Sequence, residues 1–575
     1  MPRPVQLLFP LFSKQRTGFR ATTAPLARPL VQASPQRSLH ACTCKSRRTQ
    51  HATIHRNSQT TYNSCTSFSS TATDTDRAGH GALLDPKEIL DLLKTELTPA
   101  MKLEANPYEL DRHGRGESYH QTKPPVAIVY PRCVREVQEV VRLANKYRIP
   151  LITFGAGTSV EGHVCALYGG ISLDTSLLQS MELPDFGTSH EADELNTMWP
   201  DPMATVGSGV TRNTLNRALR HTGLYFVVDP GADATLGGMV ACGASGTTAV
   251  HYGTMRENIL ALEAVMPDGS IVKAGTKALK NSAGYDLLGL LCGSEGTLGV
   301  ITSVTVKLHP IPDHVVTAVC VFNSLHHAAR AVAAFKFQNV SLTRCELLDA
   351  SSIVAFNRLI KSTSSNVGKG DAPSSMKELP TLFLELQAPS DSILDELATR
   401  VQEICMNDFD GQSFQKQTNL EDRNALWAAR HQLYNAVIAL RPGANSAVVT
   451  DVCVPLSEFA RVIEATAQDV AEQNVVGPIF GHAGDGNFHC ILPIADWNKE
   501  DPAYLERVHC VNDRMIRRTL EVGGTCTGEH GIGYGKSKYL EAQYGIGAVS
   551  MMRTIKQALD PHNIMNPGKV VPVDS

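Results

Sequence analysis

Two apolar segments near the C-terminal end of the chain are joined by the stretch Gly481-His482-Ala483-Gly484-Asp485-Gly486-Asn487-Phe488-His489-Cys490. An Asp-Gly pair between apolar runs predicts a two-residue β-hairpin turn, because a type I′ turn needs positive φ at both central residues. Such a turn would set His482 directly opposite His489, with Cβ atoms about 5 Å apart on one face. Two imidazoles in this arrangement can bind one metal ion. The alternative is a pair of ordinary polar residues on a half-exposed hairpin.

A second glycine-rich stretch sets a carboxylate beside an imidazole: Thr525-Cys526-Thr527-Gly528-Glu529-His530-Gly531-Ile532-Gly533. His482, His489 and Glu529 would form a ligand set of two nitrogens and one oxygen with open positions, which is typical of catalytic sites for zinc or manganese. His530 is left as a candidate proton acceptor, because an unperturbed imidazole titrates near neutral pH. Taken alone, Glu529 and His530 would be a solvated pair on a loop.

The length of 575 residues predicts two or more domains, and the apolar fraction of 42% is typical of a globular protein. No apolar run approaches the roughly 20 residues that span a bilayer. At most, a peripheral association with a membrane is expected. The fourteen cysteines form no C-x-x-C pair and lie mostly in apolar segments, which indicates reduced, buried thiols.

The charge is unevenly distributed along the chain. Ten basic residues and no acidic residue precede Asp74, and this acid-free, Arg- and Ser-rich leader over residues 1–73 has the composition of an organelle transit peptide. We expect a mitochondrial location, in the matrix or at the inner membrane; the alternative is a disordered basic tail. The remainder carries 43 basic against 57 acidic residues, so nucleic acid is not an expected partner.

The central part of the chain predicts a change of architecture near residue 312. A strand over 125–131, a helix over 134–147 and a strand over 150–154 imply an α/β opening. The strand 299–308 ends at Pro310-Ile311-Pro312, which marks a domain boundary. Beyond it, strands (315–322, 381–387) alternate with helices (325–338, 392–408), which predicts an α+β domain.

Two glycine-rich regions lie within the first domain. The loop Phe154-Gly155-Ala156-Gly157-Thr158-Ser159-Val160-Glu161-Gly162 follows a strand, so its backbone N–H groups can form an anion-binding concavity. It is not the dinucleotide motif G-x-G-x-x-G, because the third glycine comes late and no helix pattern begins there. The small residues of 229–253 would let a flat or phosphorylated ligand lie against the backbone. The alternative is a Gly/Ala-lined domain interface.

The order of these motifs resembles the vanillyl-alcohol-oxidase type of FAD-binding domain. The segments that carry the resemblance are Gly155-Ala156-Gly157-Thr158, residues 229–239, Asn281-Ser282-Ala283-Gly284-Tyr285-Asp286-Leu287 and Gly293-Ser294-Glu295-Gly296-Thr297-Leu298-Gly299. Residues 481–489, 528–531 and Asn566-Pro567-Gly568-Lys569 are similar to the FAD-linked C-terminal domain of D-2-hydroxyacid dehydrogenases. The resemblance implies an α+β protein: an N-terminal helical segment (74–123), a two-part FAD-binding domain (124–312), and an α+β FAD-linked oxidase C-terminal domain (313–571) that caps the flavin and binds substrate.

The resemblance also implies roles for individual residues. Thr158 stands where family members with covalent flavin carry histidine, so FAD should be bound non-covalently. His482, His489 and Glu529 match the family's metal ligands, His530 its base, and Arg430 the arginine that binds the substrate carboxylate; alone, Arg430 could equally be a surface arginine. The expected FAD-binding residues are Gly155, Gly157, Thr158, Ser159, Gly162, Pro230, Gly231, Thr235, Gly237, Gly238, Gly243, Gly246, Tyr252, Gly253, Glu295, Gly296, Gly299 and Ile301.

The substrate expectation depends on one position. Relatives that oxidise hydroxyglutarate carry a lysine where this chain has Val449, and an apolar residue would leave a distal carboxylate unpaired. The resemblance therefore implies oxidation of D-lactate or another short D-2-hydroxy acid to the 2-oxo acid, with electrons passed to cytochrome c or another respiratory acceptor. The alternatives are a D-2-hydroxyglutarate or glycolate dehydrogenase, a flavin-dependent alkyl-transferring synthase, and a non-enzymatic flavin- or metal-binding protein.

Overall fold

The computed structural model describes residues 84–185, 200–364, 375–496 and 499–571, all within one compact unit of the chain. The predicted leader over residues 1–73 lies outside these ranges. No helix in the ranges is long and apolar enough to cross a membrane.

The first part of the chain builds a small sheet flanked by helices. Its elements are α1 (Pro86–Glu96), β1 (Lys102–Glu104), α2 (Pro107–His113), β2 (Ala127–Tyr130), α3 (Val134–Tyr147), β3 (Leu151–Phe154) and β4 (Ile171–Asp174). The predicted strand–helix–strand opening is confirmed, and α3 forms because Val137, Val140, Val141 and Ala144 recur at helical spacing and are fully buried. The sheet order is β1-β2-β4-β3, in which β4 runs parallel to both β2 and β3.

The second part of the chain builds an antiparallel sheet. Its elements are β5 (Met181–Glu182), β6 (Met203–Gly207), α4 (Arg212–Leu219), β7 (Leu224–Tyr225), α5 (Leu236–Cys242), α6 (Ala249–Tyr252), α7 (Met255–Asn258), β8 (Ile259–Val265), β9 (Ile271–Gly275), α8 (Leu287–Leu291), β10 (Val300–Lys307) and β11 (His309–Pro310). The five-stranded sheet has the order β5-β6-β10-β8-β9, and β11 pairs with β7. The predicted closing strand β10 is its central strand.

The third part is the predicted α+β region. Its elements are β12 (His314–Phe322), α9 (Leu325–Phe337), β13 (Arg344–Leu348), α10 (Ala350–Ser364), β14 (Thr381–Ala388), α11 (Asp391–Glu403), β15 (Gly411–Gln417), α12 (Leu420–His431), α13 (Leu433–Ile438), β16 (Ser446–Val449), β17 (Val452–Cys453), α14 (Leu456–Glu472), β18 (Ile479–Gly481), β19 (Asn487–Ile494), α15 (Pro502–Glu521) and α16 (Leu540–Leu559). The strands form an eight-stranded sheet of order β15-β12-β14-β13-β18-β19-β16, with β17 also paired to β19.

The prediction of a two-residue hairpin turn between β18 and β19 is wrong. Phe480, not His482, pairs with His489, and a 3₁₀ turn over Ala483–Asp485 followed by left-handed Gly486 connects the strands. The Gly486 N–H donates to the Ala483 carbonyl, which closes this longer turn. The register is shifted by two residues, and because strand side chains alternate with period two, the shift keeps both histidines on one side.

The end of the chain returns to the first part of the molecule. Met565 bridges to Leu151 of β3, and Ile564 and Met565 are buried in the core that α3 covers. Asn566 Nδ2 donates to the carbonyl oxygens of His163 and Glu295. The C-terminal end of the chain therefore ties the third part of the molecule to the first and second parts.

Candidate active site

A single cavity of about 540 Å³ brings together the two sets of residues that the sequence singles out. Thirteen of the eighteen predicted FAD-binding residues line it: Gly155, Gly157, Thr158, Ser159, Pro230, Gly231, Thr235, Gly237, Gly238, Glu295, Gly296, Gly299 and Ile301. Arg430, His482, His489, Glu529 and His530 line the same cavity.

Five predicted FAD-binding residues do not line the cavity: Gly162, Gly243, Gly246, Tyr252 and Gly253. A Cβ on Gly246 would lie 2.5 Å from Asp229, and one on Gly162 would lie 2.2 Å from the Tyr534 ring. Gly246 and Gly162 therefore allow close packing behind the cavity wall. Tyr252 instead exchanges hydrogen bonds with Tyr225 and Gln387 at the junction of the two parts of the molecule.

The glycine loop after β3 has the geometry of a close ligand cradle. A Cβ on Gly155 would lie 2.4 Å from Thr235 Oγ1, and Gly157 adopts a left-handed backbone above the Phe154 ring. Three buried hydroxyls of cavity-lining residues have no hydrogen-bond partner within the described ranges, namely those of Thr153, Ser159 and Ser208. Buried polar groups are normally satisfied, so unpartnered hydroxyls around a glycine-lined space fit a bound polar cofactor such as FAD.

Two histidines and one glutamate converge at the other end of the cavity. His482 Nε2 lies 3.0 Å and His489 Nε2 lies 3.2 Å from the same oxygen, Oε1 of Glu529. Each of the three residues offers one ligand atom, and these three atoms lie within 4.8 Å of one another. Both imidazoles are largely buried. This donor set fits a divalent ion such as zinc or manganese.

Hydrogen bonds on the far side of each ring orient the two imidazoles. His482 Nδ1 donates to Glu346 Oε1 at 2.6 Å, and His489 Nδ1 donates to the Thr450 carbonyl at 3.1 Å. Because both acceptors require a proton on Nδ1, each ring presents Nε2 toward Glu529, as metal-binding histidines commonly do. Burial disfavours the charged form of His482, but Glu346 and Glu529 outweigh it and raise the His482 pKa well above its usual value.

His530 stacks on His489, with ring centroids 4.8 Å apart and an interplanar angle of 17°. Its Nε2 lies 3.8 Å from Glu529 Oε1, and its buried Nδ1 has no hydrogen-bond partner in the described part of the chain. Burial lowers the pKa of His530; Asp451 opposes this shift and His489 adds to it. A neutral imidazole beside the ligand set can accept a proton.

Asp451 was not singled out by the sequence, and it anchors the loop that carries Glu529 and His530. Its Oδ2 accepts backbone hydrogen bonds from Gly528, Glu529 and His530 at 2.7, 2.9 and 3.0 Å. Its Oδ1 accepts from Asn487 Nδ2 at 2.7 Å. Burial opposes ionisation, but His530 and Lys536 are the largest of the charges that hold the Asp451 pKa well below its usual value.

Glu346 was also missed, and it contacts Arg430. Arg430 donates to Glu346 Oε2 from Nε at 2.9 Å and from Nη2 at 2.5 Å. Burial opposes ionisation of Glu346, but Arg430 and His482 lower its pKa to about 2. A charged residue inside the apolar run Cys345–Leu348 was the available signal, because glutamate is almost never fully buried unless it is paired.

Glu295, a predicted FAD-binding residue, uses its carboxylate to hold the segment that directly follows His530. It accepts hydrogen bonds from the backbone N–H groups of Ile532 and Gly533, both at 2.7 Å. The backbone of Glu295 is left-handed, and His163 Nε2 lies 2.9 Å from Oε2, the oxygen that also accepts from Gly533. Glu295 thus connects the second part of the molecule to the segment that carries Glu529 and His530.

The wall beside the metal-type cluster is apolar. Val449 lines the cavity together with Phe480 and Ile491, and the three side chains are less than one-tenth exposed. Val449 is the position at which we expect a lysine in relatives that oxidise hydroxyglutarate. A carboxylate placed against this wall would find no charged partner among these three residues.

Comparisons with known proteins match both parts of the chain. A family model of the FAD binding domain matches residues 125–275, and a model of the C-terminal domain of FAD linked oxidases matches residues 311–570. A probable mitochondrial D-lactate dehydrogenase of Danio rerio is 44% identical over 464 residues, which are 80% of this chain and 87% of that protein. A mitochondrial D-lactate dehydrogenase (cytochrome) of Arabidopsis thaliana is 37% identical over 489 residues, 85% of this chain and 80% of that one.

A solved structure shares the fold at low sequence identity. The 4-ethylphenol oxidase of Gulosibacter chungangensis, in an isoeugenol complex, matches with a TM-score of 0.66 and 17% identity. The match covers 86% of this chain and 99% of that one. At this identity the likeness bears on the fold alone.

Proposed function

The chain belongs to the FAD-linked oxidase family, alongside mitochondrial D-lactate dehydrogenases, and we propose that it oxidises D-lactate and similar short D-2-hydroxy acids to 2-oxo acids. The predicted fold class, an FAD-binding domain of vanillyl-alcohol-oxidase type with an α+β FAD-linked oxidase C-terminal domain, is confirmed. The observation that carries the proposal is the shared cavity, in which Arg430, His530 and the cluster His482–His489–Glu529 face the glycine-lined cofactor cradle.

The residues of the chain divide the work of the reaction. Arg430 binds and orients the substrate carboxylate. Its Nη1 is available for this contact, because this nitrogen has no hydrogen bond within the described ranges, whereas Nε and Nη2 donate to Glu346. His482, His489 and Glu529 would hold a divalent ion, zinc or manganese. His530 takes the proton from the substrate hydroxyl, and the pKa shift toward the neutral form equips it for that role. When bound, FAD supplies a two-electron acceptor and the divalent ion supplies a Lewis acid.

The wall of the cavity supports a short substrate, and its glycine loop supports non-covalent FAD. The apolar wall of Val449, Phe480 and Ile491 offers no partner to a second carboxylate, whose burial without one is costly. Thr158 at the glycine loop supports non-covalent FAD.

The electron acceptor and the location follow from the relatives by analogy. The names of both relatives give a mitochondrial location. We extend this location to the chain and propose the matrix or the inner membrane as the compartment. Cytochrome c, or another respiratory carrier, would take the electrons; the name of the Arabidopsis protein includes the word cytochrome.

Anaerobic flavin absorbance of the purified holoprotein tests the proposal. D-lactate, L-lactate, D-2-hydroxyglutarate and glycolate are added separately, and fast bleaching by D-lactate alone is expected. Preferential bleaching by D-2-hydroxyglutarate or glycolate would assign the site to a different acid. No bleaching by any acid, with FAD bound, would overturn the dehydrogenase proposal in favour of a flavin-dependent alkyl-transferring synthase or a non-enzymatic flavin protein.

A further inference from the structure

Glu346 does not line the cavity but contacts two residues that do, Arg430 and His482. The carboxylate is fully buried in β13 and contacts one residue through each oxygen. Oε1 accepts from His482 Nδ1 at 2.6 Å, and Oε2 accepts from Arg430 at 2.9 and 2.5 Å. One side chain thus joins the proposed carboxylate-binding residue to a proposed metal ligand.

We propose that Glu346 is a positioning residue that couples the substrate-carboxylate site to the metal site, orienting Arg430 with one oxygen and His482 with the other. This inference rests on the proposed function, because it assigns Glu346 a role in the same reaction.

The sheet sets this position independently of any ligand. β13 pairs with β18 through Leu347–Gly481 and Leu348–Phe480. Continuing this antiparallel register by one residue brings Glu346 opposite His482. The contact is therefore a consequence of strand pairing. A substitution of Glu346 should change the contact with His482 while the strand pairing keeps the two positions opposite each other.

The contact with His482 determines which nitrogen the ring presents. An ionised carboxylate can only accept a hydrogen bond, so Nδ1 must carry the proton and Nε2 remains on the side of Glu529, 3.0 Å away. Outer hydrogen bonds of this kind fix the tautomer and the ring orientation of metal-binding histidines, and their loss typically weakens metal binding by about 10–100-fold.

The contact with Arg430 determines the plane of the guanidinium. Nε and Nη2 are both used by Glu346, and the guanidinium carbon lies 4.7 Å from the centroid of the Phe480 ring. Held by a carboxylate at one edge and an aromatic ring at another side, Arg430 keeps one orientation for the substrate. Without Glu346, the long side chain would regain rotamer freedom that substrate binding must then remove.

The variant Glu346→Gln tests the proposal with two readouts. The first is the affinity of the metal-depleted, FAD-loaded protein for manganese and for zinc, measured without substrate by competition with a chelator. The second is the steady-state kinetics of D-lactate oxidation at saturating metal. We expect metal affinity to fall by about 10–100-fold and KM for D-lactate to rise about tenfold, the effect of one misaligned hydrogen bond to a charged group. The value of kcat should change by less than about threefold.

Asp469→Asn provides a matched control. Asp469 is also a buried carboxylate paired with arginines, Arg514 and Arg518, but neither of these partners lines the cavity, whereas both partners of Glu346 do. It should lose stability without changing metal affinity or KM, which separates positioning from general destabilisation. Metal affinity and KM within twofold of the parent in a folded Glu346→Gln protein would overturn the proposal.

Two further outcomes are decisive. If Glu346→Gln does not fold, Glu346→Asp keeps the charge and withdraws the carboxylate by one methylene; unchanged metal affinity in that variant would overturn the proposal. If the parent protein binds neither metal, the metal part of the proposed function fails and this inference fails with it. If the parent binds metal and Glu346→Gln binds it equally well, only the inference about Glu346 fails and the proposed function stands.

Discussion

Asp451→Asn is the perturbation whose effect follows most directly from the geometry of the site. One carboxylate oxygen of Asp451 accepts three backbone N–H groups of the loop 528–530 and the Thr527 hydroxyl, while the other accepts from Asn487. Asparagine has only one oxygen. If this oxygen accepts the hydrogen bonds of the loop, the amide NH₂ faces the Asn487 NH₂, and two donors oppose each other. A flipped amide would instead turn its NH₂ toward the donors of the loop.

The magnitude follows from the bonds that change. One hydrogen bond to a charged group is lost, about 2 kcal/mol, and the four loop bonds lose the charge of their acceptor, about 0.5 kcal/mol each. Relief from burying an ionised group offsets part of this sum, about 1 kcal/mol. We expect the free energy of opening of the loop to fall by about 3 kcal/mol, which corresponds to roughly hundredfold faster amide exchange.

Hydrogen–deuterium exchange resolves this effect locally. The amides of Gly528, Glu529 and His530, which donate to Asp451, should exchange on the order of a hundredfold faster in the variant. Peptides from α3, whose buried side chains belong to the core around β2, β3 and β4, should be unchanged, and Asp469→Asn should leave the loop amides as in the parent. Exchange of the three amides within threefold of the parent would refute the anchoring role of Asp451.

Three further predictions concern specificity, cofactor linkage and pH. Val449→Lys should raise kcat/KM for D-2-hydroxyglutarate relative to D-lactate by about tenfold, the effect of one charge-assisted hydrogen bond; unchanged selectivity would contradict the placement of that pocket. Acid precipitation should release all the FAD, because position 158 is a threonine and not a histidine to which the flavin could be linked covalently. Flavin retained in the precipitate would show a covalent bond. Burial raises the pKa of Asp349 from 3.8 to about 6. The folded state therefore binds the proton more tightly, and stability from this group falls as pH rises from about 4 to 6. Urea unfolding should show Asp349→Asn gaining stability relative to the parent over that range, and a constant difference would contradict the raised pKa.

Much of the fold could be predicted because its signals are local. The helix α3 and the strands β2, β3, β10 and β12 follow from apolar spacing within single segments. The register of β18 and β19 could not be predicted, because the Asp-Gly pair that suggests a two-residue turn also suits a longer 3₁₀ turn ending in a left-handed glycine. That choice depends on packing against β13 and β17.

The candidate site was predicted where motifs carry it and missed where contacts are distant in sequence. His482, His489, Glu529, His530 and Arg430 lie in recognisable segments, and the cavity gathers all five. Glu346 is 84 residues from Arg430 and 136 from His482, and Asp451 is 79 residues from His530. Their roles come from strand pairing and loop docking, which no local pattern reports.

In the proposed reaction, D-lactate binds beside a flavin and a divalent ion in one cavity. The most direct measurement is the anaerobic rate of flavin bleaching by D-lactate in FAD-loaded protein that has been stripped of metal and then reconstituted. We expect bleaching only after zinc or manganese is restored, with D-lactate but not L-lactate, and no recovery in His489→Ala. Equally fast bleaching in the metal-free protein, or by both enantiomers, would contradict it.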